Sequence, residues 1–348
     1  MDGSVNTRPH KTGRPDILGA LLKYGVPPVI TVGLCLLLFK DIDPARMWHT
    51  ICTECDFRWI WANLALNVAA HVARAARWQI QLRALGIRPT LWQLTLSIFG
   101  TYAVNLVFPR LGEVWRTGYI SERCKAPFTQ VFGSMVAERL SDTVVVGTIS
   151  LLTFLIAGSQ FTAYLDQFPS AGEKLVGFIT SPVLWGALIA LLVGAVWVWT
   201  RYPDNKVVAA IRRLWLGLWE GFSVIASMPG KGRWLLFTAC LWSCYFLALG
   251  CAFMSFPLTE RVLTDHGLMA LLMCFVLTSL SMGVPSNGGI GPYQWAMVFG
   301  LGLYPVAGLT REYAMTFANL VMGVSTAGLI ALGIFTFTCI AFAKRNAR

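Results

Sequence analysis

Charged side chains are scarce in this chain. Asp, Glu, Lys and Arg make up 13% of its 348 residues, whereas 56% are hydrophobic and the mean hydropathy is +0.61. A soluble globular domain carries about 25% charged residues. Apolar runs of roughly 17 to 25 residues, the length that crosses a bilayer, recur from Tyr24 to Ala343. The composition excludes a mainly water-soluble fold and predicts an all-α polytopic membrane protein.

Motifs for catalysis, metal binding and nucleotide binding are also missing. The four histidines are far apart in the sequence, and no paired aspartates form a metal signature. The glycine-rich stretch after Gly283 is not followed by Gly-Lys-Ser/Thr, so it is not a P-loop. We therefore expect no catalytic residue, no metal site and no cofactor, and we expect that the chain is not an enzyme. A membrane-embedded headgroup transferase or phosphatase that uses buried carboxylates as acid and base remains the alternative.

Nine cysteines occur, and six of them lie in apolar segments where cysteine acts as a small hydrophobic residue. Cys52 and Cys55 form a C-x-x-C sequence in a polar stretch. Its isolation favours a local disulfide or two free thiols over a redox or zinc site.

The net charge of +11 would suit nucleic-acid binding in a soluble protein, but here most basic residues flank apolar spans. With both termini in the cytoplasm, the proposed inner segments carry 17 Lys and Arg against 5 acids, and the outer loops carry 6 against 9. This asymmetry follows the positive-inside rule. We expect a multi-pass protein of the bacterial inner (plasma) membrane with no nucleic-acid partner. The first apolar run lacks a small-residue cleavage site and is interpreted as a signal anchor.

Two apolar regions are interrupted near their middle by Pro and Gly, at 108–113 and 283–292. Irregular backbone at membrane depth is tolerated only beside protein or a water-filled cavity, so both regions are interpreted as re-entrant hairpins. The predicted map has six full crossings and two hairpins. The crossings are near 24–39, 57–82, 128–156, 182–200, 233–256 and 312–340, and the hairpins are at 91–122 and 267–304.

The order of crossing, hairpin and crossing occurs twice in this map, from opposite starting sides. It predicts an inverted-topology repeat, about 57–156 and 233–340, an architecture common among transporters. The domain map is a cytoplasmic tail at 1–23, one integral-membrane domain at 24–343 and a cytoplasmic tail at 344–348. A cytoplasmic amphipathic linker at about 201–232 joins the repeats.

Eight charges are predicted at membrane depth, all in the first repeat. Asn63, Asn67, His71, Arg74 and Trp78 form one polar stripe at helical spacing. Each buried charge costs roughly 2.5 to 3.5 kcal/mol on insertion scales, so most must be paired. Snorkelling to the headgroups is the alternative for Arg77 and, less strongly, for Arg74. The eight are Arg74, Arg77, Arg110, Glu113, Arg116, Glu138, Arg139 and Asp142.

Five arginines against three carboxylates leave an excess of two positive charges. A purely structural network would come out balanced, so the excess favours an anionic ligand, and guanidinium binds phosphate bidentately. A buried structural network remains the alternative. Asn105 lies in the first predicted hairpin, at 91–122. It is predicted to bind the substrate together with the eight charged residues.

The second hairpin carries no charge, and six of the twelve residues from Gly283 to Gln294 are Gly or Pro. Such a segment can present successive backbone N–H groups to an anion, and Pro292 suits the first turn of the following half-helix. A plain hinge for close helix packing is the alternative. The predicted binding residues here are Ser286, Asn287, Gly288, Gly289, Gly291 and Gln294.

These motifs, taken in order, resemble the flippase-like membrane domain of lysylphosphatidylglycerol synthases, found in the multiple peptide resistance factor and in stand-alone proteins. The resemblance covers about Tyr24 to Ala343. It rests on Pro109, Arg110, Gly112, Glu113 and Arg116, then Glu138, Arg139 and Asp142, then Pro285, Gly288, Gly289 and Gly291, with Arg74, Arg77 and Trp78 similar to the family's arginine-rich early helix.

The resemblance implies a lipid flippase-like transporter that moves an anionic phospholipid or a polyprenyl-phosphate-linked headgroup between leaflets. Gln294 stands where members commonly have Glu, which puts a proton-coupled step there in doubt. The sequence stops at Arg348, so we expect no aminoacyltransferase domain and a protein that handles a lipid without making it. A non-transporting lipid-binding subunit is a further alternative. Membrane lipids are the expected partners, with a homodimer or a biosynthetic partner also open.

Overall fold

The computed structural model describes residues 43–108, 110–158, ten positions between 181 and 201, 228–284, 286 and 289–345. Nine helices with defined bounds lie within these residues, and no strand does. They are α1 Pro44–Glu54, α2 Phe57–Ala84, α3 Leu91–Val107, α4 Leu111–Cys124, α5 Phe128–Ile156, α6 Lys231–Phe253, α7 Pro257–Ser281, α8 Pro292–Gly302 and α9 Arg311–Arg345. The prediction of an all-helical fold is confirmed over this part of the chain.

Four of these helices are long and apolar enough to cross a membrane: α5, α6, α7 and α9 over Arg311–Ala343. The 28 residues of α2 have the length to cross, but they also carry Arg74 and Arg77. The predicted tail 1–23 and crossing 24–39, and most of the crossing 182–200 and the linker 201–232, lie outside the described residues. The C-terminal tail was predicted to begin at 344, and α9 continues to Arg345.

The helix breaks at 108–110, between α3 and α4, as the sequence predicted. Arg110 adopts left-handed backbone angles, with φ 62° and ψ 4°, and stands just before α4. The amide oxygen Oδ1 of Asn105 accepts the backbone N–H of Gly112 at 2.8 Å, which satisfies one donor at the start of α4. A Cβ on Gly112 would collide with the backbone oxygen of Thr101, so a glycine lets the two helices approach closely.

A second pair of helices is separated by the glycine-rich segment. The helix α7 is kinked at Gly267, where φ is 67° and ψ is −163°, and it ends at Ser281. The next helix begins at Pro292, in the first-turn position where proline's missing N–H costs nothing. The side-chain oxygen Oε1 of Gln294 accepts the N–H of Gly291 at 2.7 Å and caps that start. The predicted start of a helix at this proline is confirmed.

The same order of helices therefore occurs twice. In the first unit a long helix is followed by a broken pair and a second long helix, which are α2, α3 with α4, and α5. In the second unit they are α6, the part of α7 after Gly267 with α8, and α9. The proposed function includes a membrane map in which the broken pairs turn back within the bilayer and the units are inverted.

The units pack through α2 and α6. The side-chain nitrogen Nδ2 of Asn63 donates to the backbone oxygen of Ala248 at 2.6 Å, and small residues of α2 pack against Leu241. The long helix α9 packs against the first unit. Its Gly328 lies close to the side chain of Leu64 in α2, and its Gly333 lies close to Ala103 in α3. Both α6 and α9 therefore pack against α2, the helix that carries Arg74 and Arg77.

Candidate functional site

Six charged side chains from three helices meet in the interior of the first unit. Arg74 and Arg77 lie one turn apart on α2, Arg116 comes from α4, and the rest come from α5, where Glu138 and Asp142 are one turn apart. Side chains three or four residues apart share a helix face, so each helix presents its charges in one direction. We call this group the charge cluster; it consists of Arg74, Arg77, Arg116, Glu138, Arg139 and Asp142.

Glu138 is the centre of the charge cluster. Its oxygen Oε1 lies 3.0 Å from Nη1 of Arg74 and 3.2 Å from Nη2 of Arg77. The other oxygen, Oε2, lies 2.6 Å from Nη2 of Arg116, and Arg139 approaches Oε1 at 3.9 Å. The Glu138 side chain is 0% exposed. One carboxylate thus neutralises charge from three helices, and a buried ion of this kind is tolerated only when it is so paired.

Asp142 completes the pairing. Its oxygen Oδ2 lies 2.6 Å from Nη1 of Arg74, and Oδ1 lies 2.7 Å from Nη2 of Arg77. The same Arg74 nitrogen also contacts Glu138, so this guanidinium lies between the two carboxylates and offsets their mutual repulsion. Arg77 is fully buried in these contacts.

The charges in the cluster do not balance. Four arginines meet two carboxylates, which leaves an excess of two positive charges. Buried guanidinium nitrogens without an acceptor among the described residues occur on all four arginines: Nε of Arg74, Nε and Nη1 of Arg77, Nε and Nη1 of Arg116, and Nε of Arg139. Buried polar groups in folded proteins are normally hydrogen-bonded, so these donors lack a partner that an anion with several oxygens would supply.

Within the part of the chain that the structure describes, the cluster is most exposed at Arg139 and Asp142. The Arg139 side chain is 35% exposed and that of Asp142 12%, whereas Arg77, Arg116 and Glu138 are at 0%.

Aromatic rings surround the charges. Trp78 lies under the guanidinium of Arg116, with 4.5 Å from Cζ to the ring centroid, and Trp234 lies 5.6 Å from Cζ of Arg77. These contacts hold the cations by cation–π attraction and keep water away. His71 lies one turn before Arg74 on α2 and packs against Tyr102, with the ring centroids 4.5 Å apart.

Three aromatic residues near the charge cluster were not predicted from the sequence: Tyr102, Trp234 and Tyr245. The hydroxyl of Tyr245 lies 3.3 Å from Nδ1 of His71, which links α6 to the stripe on α2. An aromatic residue in an apolar helix has the same sequence pattern whether it packs in lipid, in the core or beside an ion, so no signal separated these three from their neighbours.

The first helix break contributes a separate group. The amide nitrogen Nδ2 of Asn105 donates to Oε2 of Glu113 at 3.2 Å and to Oε1 at 3.3 Å, so Glu113 pairs with an amide rather than with Arg116. Arg110 is exposed and, among the described residues, it has no ion-pair partner. Of the eight predicted deep charges, six converge in the cluster, and Arg110 and Glu113 lie outside it.

The glycine-rich segment is only partly described, since Asn287 and Gly288 lie outside the described residues. Gly289 has φ 85° and packs beside Met282, and Gly291 has φ 93°. The hydroxyl of Ser286 is buried without a partner in the described part of the chain. No ion pair or hydrogen bond of the cluster involves a described residue of this segment, and Gln294 serves as a helix cap.

No other group in the described residues suggests a metal or redox site. Three or more His, Cys, Asp or Glu side chains placed to hold a metal ion do not occur there. Cys52 and Cys55 are free thiols. Burial, assisted by the charge of Asp56, raises the pKa of the Cys55 thiol to about 11, so this thiol stays protonated and unreactive at neutral pH.

Apolar helices long enough to cross a membrane, together with a buried net-positive cluster, define a multi-pass membrane protein with an ionic site in its interior. The chain belongs to the family described as the lysylphosphatidylglycerol synthase TM region, whose family model matches residues 25–333. This match confirms the resemblance found in the sequence.

A curated relative matches part of the chain. It is the glycosyltransferase AglD of Haloferax volcanii, 29% identical over 164 residues, which are 47% of this chain and 25% of that protein. This chain thus spans about a quarter of the length of the relative. No solved structure matches the chain.

The expectation that the chain is not an enzyme is contradicted by this comparison, because the relative is named as a glycosyltransferase. That expectation depended on dispersed histidines and on the lack of a metal signature. Neither observation excludes chemistry by buried carboxylates, and Glu138 and Asp142 are such a pair.

Proposed function

We propose that the chain is a lipid flippase-like transporter of the membrane, which binds the phosphate of an anionic lipid on the charge cluster and moves the headgroup between leaflets. The single observation that carries the proposal is the imbalance of four buried arginines against two buried carboxylates. The lipid is an anionic phospholipid or a polyprenyl-phosphate-linked lipid, since both offer phosphate to guanidinium.

The arginines and the carboxylates of the cluster have different roles in this proposal. Arg139, the most exposed arginine of the cluster, meets the phosphate first, and the free nitrogens of Arg77 and Arg116 bind its remaining oxygens. Glu138 and Asp142 hold the guanidinium groups in place, and they also attract a headgroup that carries an amine. The lipid chains remain among the apolar helices.

The membrane map belongs to the same proposal. Six crossings and re-entrant hairpins at 91–122 and 267–304 form inverted repeats within one domain at 24–343, in a bacterial inner membrane with both termini cytoplasmic. Asn105, Arg110 and Glu113 line the path on one side, and the segment from Ser286 to Gln294 lines the other. The repeated helix order and the kink at Gly267 support this map, and movement of one unit against the other gives alternating access. A homodimer or a lipid-biosynthesis partner is compatible with it.

Reconstitution tests the proposal. In proteoliposomes, the measurement is the fraction of a fluorescent phosphatidate that becomes accessible to a membrane-impermeant reductant. The wild-type protein is expected to speed this exchange over protein-free vesicles, and Arg139→Gln is expected to slow it about tenfold, because a charge-assisted hydrogen bond contributes about 1.5 kcal/mol or more. Arg123→Gln, an exposed arginine of α4, is the matched control and should leave the rate unchanged. Equal rates with and without wild-type protein would reject translocation.

A second candidate is a part in lipid-linked sugar transfer, and the match to the glycosyltransferase AglD favours it. Here the cluster would hold the phosphate of a lipid-linked sugar donor or acceptor, and Glu138 or Asp142 would be the acid–base group. Purified protein incubated with a polyprenyl-phosphate sugar and an acceptor should then yield a product of changed mass. Lipid movement without any change of mass would favour the transporter.

A further inference from the structure

The helix α1 packs against the second unit along one side and has no fully buried residue. Ile51 contacts the apolar core of the second unit. The sulfur atom of Met47 lies 4.0 Å from Nδ2 of Asn319 in α9. Most of the remaining positions of the helix are exposed. The helix is therefore attached to the molecule by one flank.

The direction of α1 is across α9 and not along it. Near the start of α1, Nη1 of Arg46 lies 3.3 Å from Oε2 of Glu312. At the end of α1, Oε2 of Glu54 accepts a hydrogen bond from the hydroxyl of Tyr313 at 2.8 Å. Arg46 and Glu54 are about two helical turns apart, roughly 12 Å along the axis, yet they reach consecutive residues of α9. Because α9 is long and apolar enough to cross a membrane, α1 lies close to the membrane plane.

The level of α1 is fixed by the ends of neighbouring helices. The backbone N–H of Asp56, the residue just before α2, donates to the backbone oxygen of Ser255 at 2.8 Å. Ser255 comes shortly after the end of α6, and Tyr313 is in the first turn of α9. Both α6 and α9 have the length and composition of membrane spans. The helix α1 therefore lies where these spans end, at the boundary between hydrocarbon and headgroups.

The exposed surface of α1 has an apolar strip and a polar strip. Trp48 and Cys52 are one turn apart and both are exposed, Trp48 by 69%. They form the apolar strip, which carries no charge. His49 and Thr53, also exposed and one turn apart, form the polar strip, about 100° further round the helix. A helix with this pattern suits a surface that is apolar on one side and wet on the other.

Exposed aromatic side chains also occur where α2 begins, three residues after α1 ends. Phe57 is 46% exposed and Trp61 68%, and they are one turn apart. Tryptophan is enriched at the membrane–water interface because its ring is amphipathic. The apolar strip of α1 is thus close in the chain to aromatic surface at the end of a long helix of a membrane protein. Lipid is the partner that fits it.

We propose that α1 is an interfacial helix that binds the lipid surface. It lies in the membrane plane at the level of the headgroups, with Trp48 and Cys52 inserted among the upper ends of the lipid chains and with His49 and Thr53 in water. This inference goes beyond the charge cluster and does not depend on the proposed function.

Spin labels on the two strips test the proposal. The variants are Trp48→Cys and its matched control Thr53→Cys, each in a chain whose nine native cysteines are replaced by alanine. In vesicles of phosphatidylethanolamine and phosphatidylglycerol, the measurement is the collision rate of the nitroxide with oxygen, which concentrates in lipid, and with a nickel chelate, which stays in water. The ratio of the two rates is expected to be roughly tenfold higher at position 48 than at position 53, since only the first is inserted.

A chain that retains Cys52 as its one cysteine carries the label on the apolar strip without any new residue in α1. It is expected to give the same high ratio as Trp48→Cys, which guards against a local distortion in that variant. Equal access of the nickel chelate to positions 48, 52 and 53 would place α1 in water and overturn the proposal. An immobilised label at 48 and 52, shielded from both reagents, would show that protein covers the strip and would overturn it as well. Neither result depends on lipid transport or headgroup binding.

Discussion

The two units of the molecule share an order of helices and differ in what they bury. The first unit, α2 to α5, buries six charged side chains from three helices, with Glu138 at their centre. The second unit, α6 to α9, buries a continuous apolar core in which Phe253, Phe256 and Phe317 meet edge to face. The same backbone pattern thus encloses ions in one unit and hydrocarbon in the other.

In the proposed function, this difference assigns ligand binding to the first unit and stability to the second. Apolar packing holds helices together in a membrane through van der Waals contacts alone, since lipid is as apolar as leucine. Buried charges cost free energy to insert, so a protein that needed only a packed bundle would avoid them. In the proposed function, the first unit therefore bears the cost of a binding site, and the second unit supports it by apolar packing.

The largest effect is expected from Glu138→Gln. This change removes the central charge of the first unit and so reduces the difference between the two units. Arg74 and Arg77 would then share Asp142, and Arg116 would lose its carboxylate partner. Loss of one partner from a buried ion pair costs about 3 to 5 kcal/mol. The expected result is a large fall in the free energy of unfolding, measured by denaturant titration in mixed micelles with tryptophan fluorescence.

The control for this variant is Glu122→Gln, at an exposed position of α4. Surface substitutions usually change stability by less than about 0.5 kcal/mol, so the control should unfold like the wild type. Equal stability of the two variants would mean that the ion pairs of Glu138 contribute nothing, and the cluster would lose its structural basis.

The charge cluster itself was largely predictable from sequence. Glu138 and Asp142 at i and i+4, and Arg74 and Arg77 at i and i+3, fix which charges share a helix face, and the cost of burial requires them to meet. The helix break near Arg110 was predictable from Pro and Gly for the same local reason. Periodicity and backbone chemistry act within a few residues, and a sequence shows them directly.

Contacts between distant segments were not predictable in this way. Arg110 was expected beside phosphate and is exposed, while Arg77, for which snorkelling was an alternative, is fully buried. The contribution of Tyr245 to the site depends on how α6 packs against α2, which no local pattern encodes. Tertiary packing decides which of several similar residues reaches the interior.

An intermediate effect is expected from Phe317→Ala, which tests the apolar unit. Phe317 is fully buried on α9 and contacts Phe253 and Phe256 at centroid distances of 5.4 Å and 5.9 Å. A cavity left by Phe→Ala costs about 3 kcal/mol. Headgroup affinity, measured with glycerol 3-phosphate, should stay unchanged, because the cluster is in the other unit.

Phe342→Ala on the same helix is the control, since this ring is 60% exposed and its loss leaves no cavity. If Phe317→Ala weakened glycerol 3-phosphate binding as much as it weakened stability, the two units would not be separable, and the division of roles drawn above would be wrong.

The smallest effect is expected at the contact between the units. Asn63 donates from α2 to the backbone oxygen of Ala248 in α6 at 2.6 Å, so Asn63→Leu removes a hydrogen bond between helices. Such bonds contribute only about 0.6 kcal/mol within membranes, because the separated helices find other partners. Asn67→Leu is the matched control, since Asn67 donates at 2.9 Å to the backbone of its own helix.

If the units move against each other during transport, Asn63→Leu should change the rate of lipid exchange more than Asn67→Leu while stability changes little. A loss of several kcal/mol at Asn63 would instead indicate that this contact is a rigid part of the core, and α2 and α6 would then be a fixed joint rather than a moving one.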